Sequence, residues 1–255
     1  MNKPVFSIVL FLFAVSCSAP KQATSPVIAK QTFTFDYTPK ESAKLGSASM
    51  VLAFIRPVYV SNFSYSGNEL FRRFKTGLSG DIEELLIAKG FSLKGPYEGR
   101  EEMVFEDKKI IDMAVNIEIS PEFSSIQGEW SSKYHVPINL LGASNPYYTY
   151  SYNGKVSLTG KINIAGFEPL TNEKIWAKSV SIPNVENIPI TTENTYTARL
   201  TDAQLMEDPA VYNTIGKALK TQYDGIMDKI AAHFNVEELK SLQTQIRELK
   251  SKKGF

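Results

Sequence analysis

"GKVSLTGKINIAGFEPLTNEKIWAKSVSIP" runs from Gly154 to Pro183 and has the pattern of two strands joined by a short turn. In its first half Val156, Leu158, Ile162 and Ile164 fall on one face of a strand, with Gly160 among them. "EKIWAKSVSIP" reads as a second strand. "EPLTNE" joins the two as a hairpin, because Pro169 fixes its φ and Asn172 tolerates left-handed geometry. A hairpin with one apolar face must bury that face against another layer.

Working outward, Ile111, Met113, Val115, Ile117 and Ile119 alternate and predict a further strand over 111–119, after a short helix or turn in "MVFEDKKI". The run from Met50 to Val60 is apolar almost throughout, as in a strand buried on both faces, and Pro57 marks an edge, a bulge or its end. Between these strands the period changes. Phe71, Phe74, Leu78, Ile82, Leu85 and Leu86 recur at three and four, one face of a helix over 68–89. Asn68 is its N-cap and Gly90 its stop. Gly77 and Gly80 inside it each cost about 1 kcal/mol relative to Ala, so they are expected to permit close packing or a bend. "FTFDY" puts Phe33, Phe35 and Tyr37 on one side where the fold begins.

Residues 120–153 read as less regular, and 183–207 as polar loop. From 209 to 253 the chain reads as a long helix or helix pair, with Val211, Ile215, Leu219, Ile226, Ile230 and Phe234 on one face. Asn235 and Glu238 form a capping-box pattern for a second helix. Leu239, Leu242, Ile246 and Leu249 then recur at near-heptad spacing. That seam either pairs copies of the chain, giving a homo-oligomer through the C-terminal helix, or packs back on the body. The fold class expected is α+β: an antiparallel-dominated sheet of about four to six strands packed by helices on one face.

The 255-residue chain carries a formal charge of +1, so no global field points to nucleic acid as a partner. Its N-terminus, "MNKPVFSIVLFLFAVSC", has Lys3 and then an apolar run from Val5 to Val15. That run is short of the roughly 20 residues a spanning helix needs and fits a signal-peptide core. Ala14, Val15 and Ser16 before Cys17 look like a lipobox. The domain plan is therefore a signal peptide over 1–16, a lipidated flexible tether over 17–32 and a single domain over 33–255. Removing 1–16 takes Lys3 and no acid, so the mature formal charge is zero. Cys17, the only cysteine, is the acyl attachment point, and two acyl signals suffice for stable anchoring. The expected location is the outer membrane or cell surface, held by the N-terminal lipid.

Catalytic signatures are missing: there is no G-x-S-x-G, no phosphate-binding glycine loop and no H-E-x-x-H. His135 reads as a surface loop residue and His233 as a cation at a helix C-terminus. No catalytic residue, metal site or cofactor is expected. In "NPYYTYSYNGK", Tyr148, Tyr150 and Tyr152 alternate and line one face of a strand. They either cover the sheet or form a rigid contact surface for sugars or a protein partner, with Trp130 in the preceding loop able to join. The basic ending "RELKSKKGF" could meet anionic lipid, or simply be a solvated helix end.

Several marks are co-linear along the chain: the lipobox cysteine, "FDYTPK" after a short tether, the strand ending in Ile55, Arg56 and Pro57, "IEELLIAKGF", "EPLTNE" and "NVEELKSLQTQIRELKSKK". In these the chain resembles the neuraminyllactose-binding haemagglutinin family, adhesin lipoproteins best known from Helicobacter. The resemblance implies an outer-membrane or surface lipoprotein, non-enzymatic, with sialylated glycans as ligand. The family's glycan-binding element is a basic segment after the central strand. Here that region reads "EISPEFSSIQGEWSSKYH", with Lys133 and no adjacent basic pair, so no residue inherits that role. The alternative is a periplasm-facing outer-membrane lipoprotein with an envelope-protein partner in an assembly or secretion complex.

Overall fold

The computed structural model describes residues 28–124, 126–136, 145–192 and 195–252; Cys17, the signal segment and most of the tether lie outside them. The continuous apolar run near residue 50 becomes strand β1 (Val51–Ile55), and after Pro57 the short β2 (Val58–Tyr59). Both faces of β1 are buried, as its composition requires. Leu52 and Phe54 enter the main core, while Ala53 and Ile55 join a small cluster with Met103, Ile111 and Ala114.

Helix α1 (Glu69–Ala88) follows, capped by Asn68, whose Oδ1 accepts from the Leu70 amide at 2.9 Å. It stops where predicted: Gly90 has φ +86°, a left-handed turn that suits glycine. A helical return brings the next strand back to the same end as β1, so β3 (Ser92–Tyr97) pairs parallel with it. A single 3-10 turn and α2 (Phe105–Ile110) make a second such return to β4 (Met113–Phe123), parallel to β1 and β2. These three pairings are parallel, so the sheet is mixed; the longer ladders that follow are antiparallel and dominate it, as expected, and its seven strands exceed the four to six expected. Hydrophobic period locates strands but does not fix their direction; the length and helicity of the connections do.

The rest is antiparallel. β6 (Tyr147–Phe167) is one unbroken strand, and β7 (Lys174–Thr191) runs back beside it. The "EPLTNE" turn forms as expected: Asn172 has φ +61°. Buried Glu168 holds the turn by accepting from the amides of Leu170 (3.1 Å) and Thr171 (2.6 Å). On its other edge β6 pairs first with β5 (Gln127–His135) and then with β4. Ser124 and Ser157 stitch the β4–β5 junction by two bonds of 2.9 Å.

Two segments whose sequence reads as irregular are therefore strand. Residues 120–153 hold the end of β4, β5 and the start of β6, and β7 continues to Thr191 through the stretch expected as loop. Pro183 and Pro189 obscure the latter in the sequence. β7 is an edge strand, where a proline can face away from the ladder without breaking it. Ile188 and Ile190 on this extension are buried.

After α3 (Asp202–Leu205) the C-terminal helices are a pair, α4 (Pro209–His233) and α5 (Val236–Lys252). Their apolar faces join α1 and one face of the sheet in a single core. Asn235 caps α5 by accepting from the Glu238 amide at 2.9 Å, but the capping box does not close. The Glu238 carboxylate instead takes Trp176 Nε1 at 2.9 Å and Lys178 Nζ at 2.7 Å. The heptad-like seam packs back on the body: Leu239 and Ile246 are fully buried and Leu242 packs against the core. "FTFDY" is extended but pairs with no strand; Phe33, Phe35 and Tyr37 fill the groove between α1 and α4.

Candidate contact surface

The sequence-predicted tyrosines lie in the first part of β6, and β5 places partners opposite each of them. Trp130 faces Tyr152, Ser132 faces Tyr150 and Tyr134 faces Tyr148. Trp130 is thus a strand residue, not a loop residue; the polar Ser131–Ser132–Lys133 run masks the alternation. His135 is likewise at the end of β5 and not in a loop.

The row grades from core to solvent. Tyr152 is 5% exposed and meets the Trp130 ring edge-on at 5.2 Å. Burial, with a smaller push from Asp202, raises its hydroxyl pKa. Its ring lies over a Gly128–Gly154 pair: a Cβ on Gly128 would meet the Tyr152 hydroxyl at 2.5 Å, and one on Gly154 the ring at 2.7 Å. Aromatic cover of facing glycines makes the hairpin base part of the core.

Tyr150 is half-buried. Its backbone exchanges two hydrogen bonds with Tyr196, at 2.7 and 2.8 Å, and the Arg199 guanidinium sits 5.9 Å from its ring centre. Tyr196 donates its hydroxyl to Asp208 at 2.6 Å, and Asp208 caps α4 through the amides of Ala210 and Val211. The hairpin is thereby fixed to the start of α4. Tyr148 is 51% exposed and lies 5.0 Å from Tyr134. On the reverse face His135 stacks on Tyr147 at 4.9 Å and bonds Thr149 Oγ1 through Nε2 at 2.8 Å.

The structure therefore keeps Tyr148 and part of Tyr150 at the surface, assigns Tyr152 and most of Trp130 to packing, and adds Tyr134, His135, Val136 and Tyr147. The even-numbered alternation of Trp130, Tyr134 and Val136 is the signal for part of that set. A separate cleft of about 520 Å³ lies on the outer face of the sheet, between Asn116, Glu118, Asn163, Phe167 and Lys174. Among the described residues no three His, Cys, Asp or Glu side chains group as metal ligands would, and no helix is long and apolar enough to cross a membrane.

No family model and no curated protein sequence matches the chain. Among solved structures, the fold is similar to that of a Helicobacter pylori protein described as a homolog of the neuraminyllactose-binding hemagglutinin. Identity is 13% and the TM-score 0.55, over 86% of this chain and 100% of that one. The likeness is one of fold. A lipoprotein of Neisseria meningitidis also matches, at 13% identity and TM-score 0.28 over 66% of this chain and 99% of its own. So does a hypothetical protein of Chlamydia trachomatis, at 12% identity and TM-score 0.31 over 74% and 96%. At those two scores the overlap carries no argument.

Proposed function

We propose that this chain is a lipid-anchored bacterial envelope protein that acts by binding, not catalysis, and that the outer end of the β5–β6 hairpin is its contact surface. The observation that carries the reading is the half-exposed pair Tyr134 and Tyr148 on one face, with half-exposed Tyr147 on the other, on a hairpin whose base is built into the core. Rings with two rotatable bonds on a stiff support lose little entropy when they bind, and each offers an apolar body with a polar tip. Cys17, after a signal-like run, supplies the attachment. The family resemblance, and a fold shared with the H. pylori protein, favour adhesion at the cell surface as the setting.

The test has two readouts. Palmitate labelling and membrane association are expected in the wild type and lost in Cys17→Ser. Binding of the membrane-extracted protein to a glycan array that includes neuraminyllactose is expected to weaken about tenfold in Tyr134→Ser/Tyr148→Ser, since each stacking ring contributes about 0.5–1.5 kcal/mol. Labelling that survives Cys17→Ser refutes the anchor; glycan binding that ignores the tyrosines refutes the adhesin surface.

A further inference from the structure

We infer that the aromatic end of the β5–β6 hairpin rests in the interface of the same membrane that holds the acyl chain. The inference rests on the reading of Cys17 as the anchor and of the hairpin as the contact surface, and names what that surface contacts while the protein sits on its membrane; extraction from the membrane frees the rings for a glycan.

Position comes first. The described chain starts beside the beginning of α4: Asn213 donates to the Ala29 carbonyl at 3.0 Å, and Lys30 is ion-paired with Glu207. Next to Glu207, Asp208 holds Tyr196, and Tyr196 is paired along its backbone with Tyr150 of the hairpin. The tether therefore leaves the body at the hairpin end. Residues 17–27 can span at most about 40 Å even if fully extended. β6 itself, from Tyr147 to Phe167, is about 64–68 Å long at the usual rise per residue. The far end of β6 lies beyond the tether's reach, and the near end lies well within it.

Chemistry comes second. Tyr134, Val136, Tyr147 and Tyr148 are each about half or more exposed. Tyrosine concentrates where hydrocarbon meets headgroups, with its ring in one and its hydroxyl in the other. Residues 130–136 and 145–152 contain Lys133 and no carboxylate; the first carboxylate along the hairpin is Glu129, opposite Asn153.

The basic C-terminus is the competing membrane contact, and it is at the wrong end. Lys250 donates to the carbonyls of Lys109 (2.9 Å) and Ile111 (2.7 Å) and lies 3.9 Å from Glu168, in the β6–β7 turn.

The experiment uses the lipidated full chain in phosphatidylcholine–phosphatidylglycerol vesicles. An environment-sensitive fluorophore is attached at Tyr148→Cys or, as the far-end control, at exposed Glu106→Cys. Acylated Cys17, the one native cysteine, does not take the label. A nitroxide lipid is expected to quench position 148 several-fold more than position 106, with a blue-shifted emission at 148. Equal quenching at both positions overturns the inference. So does a label at 148 that ignores the nitroxide but responds to added neuraminyllactose, which assigns the rings to a glycan. Flotation of the same samples reads the anchor separately: floating protein with an unquenched 148 sinks this inference alone, and protein that does not float sinks the anchor and this inference together.

Discussion

A glycine inside a helix costs about 1 kcal/mol relative to alanine, and α1 contains two of them for different reasons. At Gly77 a Cβ would lie 2.6 Å from the Phe35 carbonyl oxygen, so glycine is what lets the N-terminal segment lie in the groove. At Gly80 nothing lies within 4 Å. Gly77→Ala should therefore destabilise by about 1–3 kcal/mol, while Gly80→Ala should stabilise by up to about 1 kcal/mol. Urea midpoints of the two variants check this, and the opposite signs are the prediction. Nearby, Tyr223 donates its hydroxyl to buried Asp81. Burial raises the Asp81 carboxyl above its ordinary 3.8, and the Tyr223 donor partly offsets that. The folded state thus holds the Asp81 proton more tightly than the unfolded chain. The stability this group contributes is full below about pH 3.8 and declines as pH rises to the folded-state value. Removing the donor raises that value further and steepens the decline. Tyr223→Phe should cost about 1.5–3 kcal/mol at pH 7, and clearly less at pH 4. A loss independent of pH would show that the hydroxyl does not stabilise the carboxylate.

At the scale of elements, α5 is the informative case. Its leucine and isoleucine spacing suits a partner helix and equally a body to lie on; sequence period cannot distinguish the two, because both bury one stripe. Packing decides: Ile246 is fully buried in the chain's own core, and Glu238 is held low in pKa by Lys178 and Trp176 on β7. Ile246→Ala should therefore destabilise the isolated chain by about 2–4 kcal/mol, read by thermal unfolding at two protein concentrations. An unfolding temperature that depends on concentration, with little loss for the single chain, would restore the oligomer seam. The same physics sets what is legible elsewhere. α1 and the β6–β7 turn can be read because each has a local cause, an N-cap and a stop glycine for the helix and a left-handed Asn172 for the turn, and α4 by its apolar stripe. β5 cannot, because its alternation is interrupted by two serines and a lysine and it becomes a strand through its ladder with β6. The contact surface is half legible for that reason. Tyr148 and Tyr150 stand in a clean alternation, but the exposed Tyr134 and the burial of Tyr152 follow from pairing and from the Gly128–Gly154 floor, which are tertiary facts.

At the scale of the whole molecule, the described body begins at the α4 end, and the sequence between Cys17 and Lys30 contains one tryptic site, Lys21. Lys30 is ion-paired with Glu207, and from Phe33 onward the segment is buried between helices. Trypsin should therefore cut after Lys21 far faster than inside the core and, if Cys17 carries the proposed lipid, release the body from it as a fragment that starts at Gln22. This separates the two biological settings whatever the ligand is. A surface adhesin is open to protease added to intact cells, so the Gln22 fragment should appear in the supernatant while a periplasmic marker stays intact. An assembly factor facing the periplasm should yield the same fragment only after the outer membrane is opened. If the hairpin rests on the bilayer, the Gln22 fragment should also lose most of its affinity for membranes once the acyl chain is gone, because a few interfacial tyrosines contribute far less than two acyl chains at about 0.8 kcal/mol per buried CH2. Immunodetection and N-terminal sequencing of the released material read both outcomes, and a fragment that starts within the core would contradict the burial of the segment beginning at Phe33.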